Sequence, residues 1–386
     1  MPAVPHLRAA QSGDRALLEG VCRLGGKLVS LSRLPFGADG GRDPRTHRGD
    51  GLDTLDIHFH VVPPQFLDEV RRGTFREAVH MERTNGRERM VQHAPPHVVL
   101  EPGGGGLLAD VYDDALMLKA MDRKRLDGAV IGPSPGQFYY RAEPELGERM
   151  AGSVNDGIAA MVRARPDRFV GIGTLPMQDS ERAVRELRRA VTELGLRGVE
   201  ICTHIAGTDL DAPQLMPVYA EAERLGVPFF LHPQNSGDIS RMQQYHLWNL
   251  AGFPLETALA ASRLLLSGTF EKYPGFNIIL AHGGGYLPYQ VGRLDHGYTV
   301  RRELQHLPRR PSEYLGNIYC DTLTHDALSL RFLVDRMGDD HVVIGSDYPF
   351  DMGYDQPVEM VKASGLGAER EAKVLGRNLA ALLKIG

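Results

Sequence analysis

Thr54-Leu55-Asp56-Ile57-His58-Phe59-His60-Val61-Val62-Pro63-Pro64 is a largely apolar run that sets two histidines two residues apart near its end and then closes on two prolines. Its length and its bounding prolines suit a buried strand, so a strand is predicted over residues 54–58. In a doubly wound dinucleotide-binding sheet, the turn after the first strand carries a glycine-rich phosphate loop. Here His58-Phe59-His60 takes that place, and the run Gly283-Gly284-Gly285 lacks the GxGxxG spacing. Dinucleotide binding is therefore set aside.

Outward from that run, short apolar stretches alternate with longer ones of helical periodicity. Further strands are predicted over 128–132, 169–174, 198–202, 228–232, 278–282, 318–321 and 342–346. Helical stretches fall at 115–125, 148–165, 180–194, 214–225, 254–272, 288–303, 327–336 and 369–383. Eight βα repeats predict an α/β fold of the (β/α)8, TIM-like barrel type over residues 52–386. The longest gap, about residues 64–110 after strand one, reads as an insertion, polar and glycine-rich at Gly103 to Gly106, able to form a small hairpin lid. Residues 1–51 differ: 14–33 has a helical apolar pattern (Leu17, Leu18, Val21, Leu24, Leu28) weakened by Gly25-Gly26, and a Gly-, Asp- and Arg-rich stretch follows. This part is read as an N-terminal arm and linker.

Composition narrows the function classes. Of 386 residues, 42% are hydrophobic and 24% charged, enough apolar material for a core and too much for general disorder. No window is apolar and long enough for a spanning helix, and no secretory signal pattern opens the chain, so no membrane association is expected. The 44 Lys and Arg are scattered among 49 acids, for a net charge of −5, which argues against a nucleic-acid footprint and for small-molecule partners. Cys22, Cys202 and Cys320 are far apart and odd in number, so neither a disulfide framework nor a cysteine zinc site is indicated. A cytoplasmic location is expected.

Barrel enzymes build their sites at the C-terminal ends of the strands. There the predicted strands place His58, His60, His204, His232, His282, Asp321 and Asp347. Imidazoles and carboxylates converging on one mouth form the donor set of a zinc-like divalent metal. His58 and His60, two apart on an extended strand, point to the same side. Val61 to Pro64 makes the pair terminal. His232 closes Val227-Pro228-Phe229-Phe230-Leu231 and Asp347 closes Val342 to Ser346. Either could instead be structural, a core histidine or a turn cap. His282, ahead of three glycines that let backbone or substrate approach, is the remaining candidate for acid–base work.

The histidine pair, His232, His282 and the final Ser346-Asp347-Tyr348-Pro349-Phe350 together resemble the amidohydrolase superfamily, and within it the metal-dependent decarboxylase branch typified by aminocarboxymuconate-semialdehyde decarboxylase. Gly173 to Gln178, Phe253 to Thr257 and Ala281 to Gly285 match as well, and the likeness runs from about residue 53 to 386. It implies that His58, His60, His232 and Asp347 bind one divalent metal, most often zinc, with Mn²⁺ or Fe²⁺ as alternatives and water in the open position. It implies that His282 activates or protonates at that water. It implies also that Arg293 reaches a neighbouring subunit's site in a homodimer and grips a substrate carboxylate, and that Phe350 walls the substrate pocket. Strand four, ending Glu200-Ile201-Cys202-Thr203-His204, offers no lysine to bridge two metals, which fits the one-metal type. His204 is either a pocket residue or structural, and Asp321 is a hydrogen-bonding pocket residue rather than a ligand.

Two departures bear on substrate. An arginine typical of the branch, just before a Trp-Asp pair, is missing where Tyr112-Asp113 stands, and Gln234 replaces a tryptophan two residues after the strand-five histidine. The substrate is then not aminocarboxymuconate semialdehyde itself, and Arg83, Arg87 or Arg89 are alternative sources of positive charge. The expected activity is decarboxylation of a small conjugated or aromatic carboxylic acid. Hydrolysis or hydration on the same site and a non-catalytic metal-binding barrel are the alternatives.

Overall fold

Valine, isoleucine, leucine and phenylalanine fill the predicted strands, and each strand forms: β1 (Leu55–Val61), β2 (Gly128–Pro133), β3 (Phe169–Gly171), β4 (Val199–Cys202), β5 (Phe229–His232), β6 (Ile278–Leu280), β7 (Ile318–Asp321) and β8 (Val342–Val343). The computed structural model describes residues 21–24, 27–30, 52–84, 86–92, 107–234 and 240–385. Parallel pairing joins β1 to β2 to β3, and β4 through β8 in sequence. Backbone bonds just beyond the strands close the ring. Gly173 accepts from the Glu200 amide at 2.7 Å and donates to Gly198 at 2.9 Å, linking β3 to β4; Ile57 donates to Ile344 at 3.0 Å, linking β1 to β8. The parallel bridges Gly173 to Val199 and Phe59 to Tyr348 lie at the same two seams. The result is the expected (β/α)8 barrel.

Alternation along the strands sends one set of side chains inward. Leu55, Ile57, Val130, Ile172, Phe230, Ile279, Ala281 and Val343 form an apolar inner cluster, joined by Leu379 and Leu383 from the C-terminal end of the chain. The other set packs under the surrounding helices. Ser180–Thr192 shows how: Ala183, Leu187 and Ala190 recur at helical spacing and are buried, while Asp179 caps the first turn by accepting the Arg182 amide at 3.0 Å. No helix among the described residues is long and apolar enough to cross a membrane.

The structure corrects the sequence reading at the end of β1 and refines it in the insertion and in the last helix. β1 runs to Val61, so His58 and His60 lie inside the strand rather than at its terminus, because β2 and Tyr348 keep pairing with it. Pro63-Pro64 does not open a loop but starts the helix Pro64–Arg71, a proline at the first helical position leaving no needed donor unmade. Within the insertion the expected hairpin forms, Val79–Thr84 pairing antiparallel with Arg87–Gln92, and Gly103 to Gly106 lie outside the described residues. The helical stretch predicted over 369–383 forms over 368–382 and carries a π turn at Lys373–Arg377, where the Val374 carbonyl accepts the Ile344 amide of the barrel at 3.0 Å.

Contacts divide the chain into Met1–Asp50 and Gly51–Gly386. In the first unit, Val21–Leu24 pairs antiparallel with Lys27–Ser30, in place of the helix expected over 14–33. Gly25-Gly26 between them disfavours a helix and suits a two-residue hairpin, a signal outweighed in the sequence by the leucine spacing.

Candidate metal centre

β1 projects His58 and His60 into the mouth of the barrel with ring centroids 4.9 Å apart. His232, the last residue of β5, lies 4.9 Å from His58 and 4.8 Å from His60. His282, just past β6, is 5.0 Å from His232 and 5.3 Å from His58. Asp347, just past β8, brings Oδ1 to 3.2 Å from Nε2 of both His58 and His60, and Oδ2 to 3.7 Å from Nε2 of His282. Five side chains from four strands thus meet at one point.

The backbone is bent to aim them. His282 and Asp347 both adopt a left-handed φ of 55°, which costs a non-glycine residue of order 1 kcal/mol and persists only where the surroundings enforce it. At His282 the enforcing group is Asp321 at the end of β7. It accepts the amides of His282 (3.0 Å), Gly283 (2.7 Å) and Leu323 (3.0 Å) and the His58 Nδ1–H (2.6 Å). At Asp347 the neighbouring Ser346 is held by Asp56, which takes its amide at 3.1 Å, its hydroxyl at 2.5 Å and the His58 amide at 2.8 Å. Tyr348 stacks on Phe59 at 4.2 Å. Asp56 carried no signal in the sequence beyond being an acid inside a strand.

Electrostatics favour a cation in the middle. Burial pushes the Asp347 carboxyl up, but the charge at His58 and the close approach of the His282, His58 and His60 rings outweigh it and hold it well below the usual range. Burial opposes charge on His58, yet Asp347 and Asp321 outweigh it and favour positive charge at that ring. His60 and His232 go the other way: burial, together with the neighbouring imidazoles, lowers both and keeps them neutral. Neutral His60 and His232 beside an ionised Asp347 are in the protonation state that a divalent metal needs, and His58 would reach it by giving up its Nε2 proton.

The hydrogen-bond inventory points the same way. His58 Nε2, His60 Nε2, both ring nitrogens of His232 and Asp347 Oδ1 are buried without a hydrogen-bond partner. Buried polar atoms are nearly always paired, so five orphans around one point mark a seat for something that accepts lone pairs. Candidate donor atoms fall within 4.8 Å of one another in two sets, His58, His232, His282 and Asp347, and His60, Glu200 and His232. Glu200 was quoted in the sequence reading only as part of strand four. An acid inside an apolar strand gives no sign of which way it points. Cys202 and Cys320 are buried, which pushes both thiols up and leaves them unsuited as nucleophiles or ligands.

The remaining expected residues divide. Phe350 lies 5.3 Å from the His60 ring. Gln234 is half-buried two residues beyond His232. His204 is not in either donor set; its Nδ1 accepts the Gly207 amide at 3.1 Å, in a short antiparallel pair with Thr208–Asp209. Arg293 is exposed on the helix Leu287–Val300, with no hydrogen bond or ion pair among the described residues. Arg83, Arg87 and Arg89 stand on the insertion hairpin. A cavity of about 510 Å³ opens beside His282, walled by Phe253, Tyr286, Leu323, His325 and Met352 among others. Its size suits a small organic ligand.

Comparison with known proteins places the chain in a family. Residues 55–385 match the amidohydrolase family, and the chain belongs to it. The chain is 38% identical to 2-amino-3-carboxymuconate-6-semialdehyde decarboxylase of Dictyostelium discoideum, over 66% of this chain and 72% of that one. It is 32% identical to the gamma-resorcylate decarboxylase of Rhodococcus jostii, over 72% of this chain and 89% of that one. Among solved structures, a dihydroxybenzoic acid decarboxylase from a Polaromonas species, with bound manganese and the inhibitor 2-nitroresorcinol, superposes with a TM-score of 0.69 at 25% identity, covering 86% of this chain and 97% of that one.

Proposed function

We propose that this chain is a metal-dependent, non-oxidative carboxy-lyase that removes CO₂ from a small aromatic or conjugated carboxylic acid. The observation that supports it best is the set of buried, unpartnered donor atoms on His58, His60, His232 and Asp347, beside a largely apolar cavity. These four residues would hold one divalent cation. Three imidazoles and one carboxylate suit zinc, with manganese or iron able to take its place. When bound, that ion supplies Lewis-acid charge to polarise a substrate oxygen.

His282 manages the proton. Its Nε2 faces Asp347 Oδ2, and its main chain is fixed by Asp321, so the ring sits at the boundary between the donor cluster and the cavity. When the carboxyl carbon–carbon bond breaks, its electron pair stays on the substrate carbon, and His282 gives that carbon a proton as CO₂ leaves. Phe350 beside His60, and Phe253 with its ring 6.3 Å from His282, wall the substrate; Gln234 and His204 serve as outlying polar contacts.

The residues described around the cavity include no arginine or lysine. A carboxylate needs such a group, and exposed, unpaired Arg293 can supply it from a second copy. The active form is accordingly a homodimer, with Arg293 donated across the interface. Free buried thiols and the absence of a spanning helix among the described residues suit work in the cytoplasm. Residues 1–51 are read as an arm outside the catalytic unit.

Metal content measured on protein purified without added metal, with CO₂ release across aromatic and enoic acids, tests the reading. One metal per chain with CO₂ evolved supports it. Metal without CO₂ would shift the assignment to hydrolase or hydratase chemistry on the same site, and two metals would overturn the one-metal centre.

A further inference from the structure

Glu200 is an acid in a place where the barrel is otherwise apolar. It sits on β4 opposite Phe230 of β5, which in turn sits opposite Ile279 of β6, and both neighbours belong to the apolar inner cluster. It is 1% exposed, and its Oε1 has no hydrogen-bond partner. No lysine or arginine among the described residues pairs with it. Room has been made for it: a Cβ on Gly132 of the β2 wall would come within 2.5 Å of Glu200 Oε2. A carboxylate buried without a partner is costly, and an apolar residue of the same size would relieve that cost.

Its surroundings suggest what offsets the cost. Glu200 Oε1 lies 3.6 Å from His60 Nδ1, whose hydrogen bond goes to the Pro133 carbonyl at 3.2 Å. The opposite edge of that ring, Nε2, faces Asp347 at 3.2 Å. The His60 imidazole is therefore interposed between the Glu200 carboxylate and the candidate cation seat. His58 is backed more closely, with Asp321 hydrogen-bonded to its Nδ1 at 2.6 Å and Asp347 at its Nε2. Each member of the histidine pair is backed by a carboxylate. A carboxylate behind a ligating imidazole orients the ring and raises its basicity.

We infer that Glu200 is a positioning residue of the metal centre, an inner-wall carboxylate that balances the cation's charge through His60. The inference rests on the metal-centre reading above. It makes Glu200 a burden on the metal-free protein and an asset to the metal-loaded one, an opposition that a merely structural glutamate would not show.

The test compares the full-length wild type with Glu200→Gln and, in case the amide is poorly accommodated, Glu200→Met. Zn²⁺ and Mn²⁺ affinities are measured by chelator competition, and melting temperatures with and without metal. The expected result is a roughly 10–100-fold loss of affinity for both ions. The metal-free variants should melt at or above the wild type, and gain less on adding metal. Variants that bind both ions as tightly as the wild type, or whose metal-free form melts lower with affinity unchanged, would overturn the role for Glu200 while leaving the metal centre intact. A wild type that binds neither ion would overturn the metal centre itself, and Glu200's role with it.

Discussion

His58 Nδ1 and the Asp321 carboxylate meet at 2.6 Å with both side chains fully buried. This one bond ties β1 to β7 across the barrel mouth and fixes which nitrogen of His58 faces the cluster. Because Asp321 also gathers the amides of His282, Gly283 and Leu323, a single carboxylate sets the positions of two histidines from different strands.

Replacing Asp321 by Asn keeps the shape but turns an NH₂ group towards donors. We expect a loss of about 3–5 kcal/mol of stability, as for breaking other buried charged pairs, and weaker metal binding by about 10–100-fold. Urea unfolding of the metal-free protein and chelator competition report the two effects separately. A variant unchanged in both would mean that Asp321 does not organise the site.

His282→Ala should leave stability and metal content near those of the wild type, because the ring is partly exposed and four other donors remain. Turnover should fall by about 10²–10⁴ if the imidazole is the proton donor. Elemental analysis alongside CO₂ release decides the matter: full metal with full activity would remove His282 from the mechanism.

Asp56 gives a pH dependence with a definite sign. Burial, only partly offset by bonds from Ser346 and His58, raises its carboxyl from 3.8 to about 6. A raised acid binds its proton more tightly folded than unfolded. Its contribution therefore favours the fold below about pH 4 and is lost as pH rises through about 6, a swing of roughly 3 kcal/mol. In metal-free protein, Asp56→Asn can keep the same contacts, its oxygen accepting the two amides and its NH₂ donating to the Ser346 hydroxyl. That variant should be flatter in stability between pH 4 and 6 than the wild type. Parallel stability–pH curves for the two would refute the assignment.

The barrel was legible because its strands are short apolar runs closed by Pro, Gly or Asp, and because His232, His282 and Asp347 stand where such runs end, with His58 and His60 two apart within the first. What stayed hidden were side chains whose direction depends on the closed ring. Asp56 and Glu200 read as acids within strands, and only the register against Phe230 and the gap over Gly132 show that Glu200 points inward. His325 and Met352 reach the cavity from loops, which have no periodicity to betray them. In the insertion, Pro63-Pro64 was read as a stop, although proline equally opens a helix, and only packing of Phe66, Leu67 and Val70 decides between the two.

Arg293 provides a test of the dimer that does not depend on knowing the substrate's affinity. It is exposed and unpaired among the described residues, so Arg293→Ala should change stability by no more than about 0.5 kcal/mol. If each cavity takes this arginine from the other copy, then Arg293→Ala and His282→Ala are each inactive as homodimers for different reasons. Unfolding and refolding the two variants together creates mixed dimers in which one site receives a wild-type His282 from one copy and a wild-type Arg293 from the other. Random pairing makes half the dimers mixed, each with one complete site of two, so activity should return to about a quarter of the wild-type level. An arginine acting within its own subunit would leave every site in the mixture short of one residue, and no activity would return.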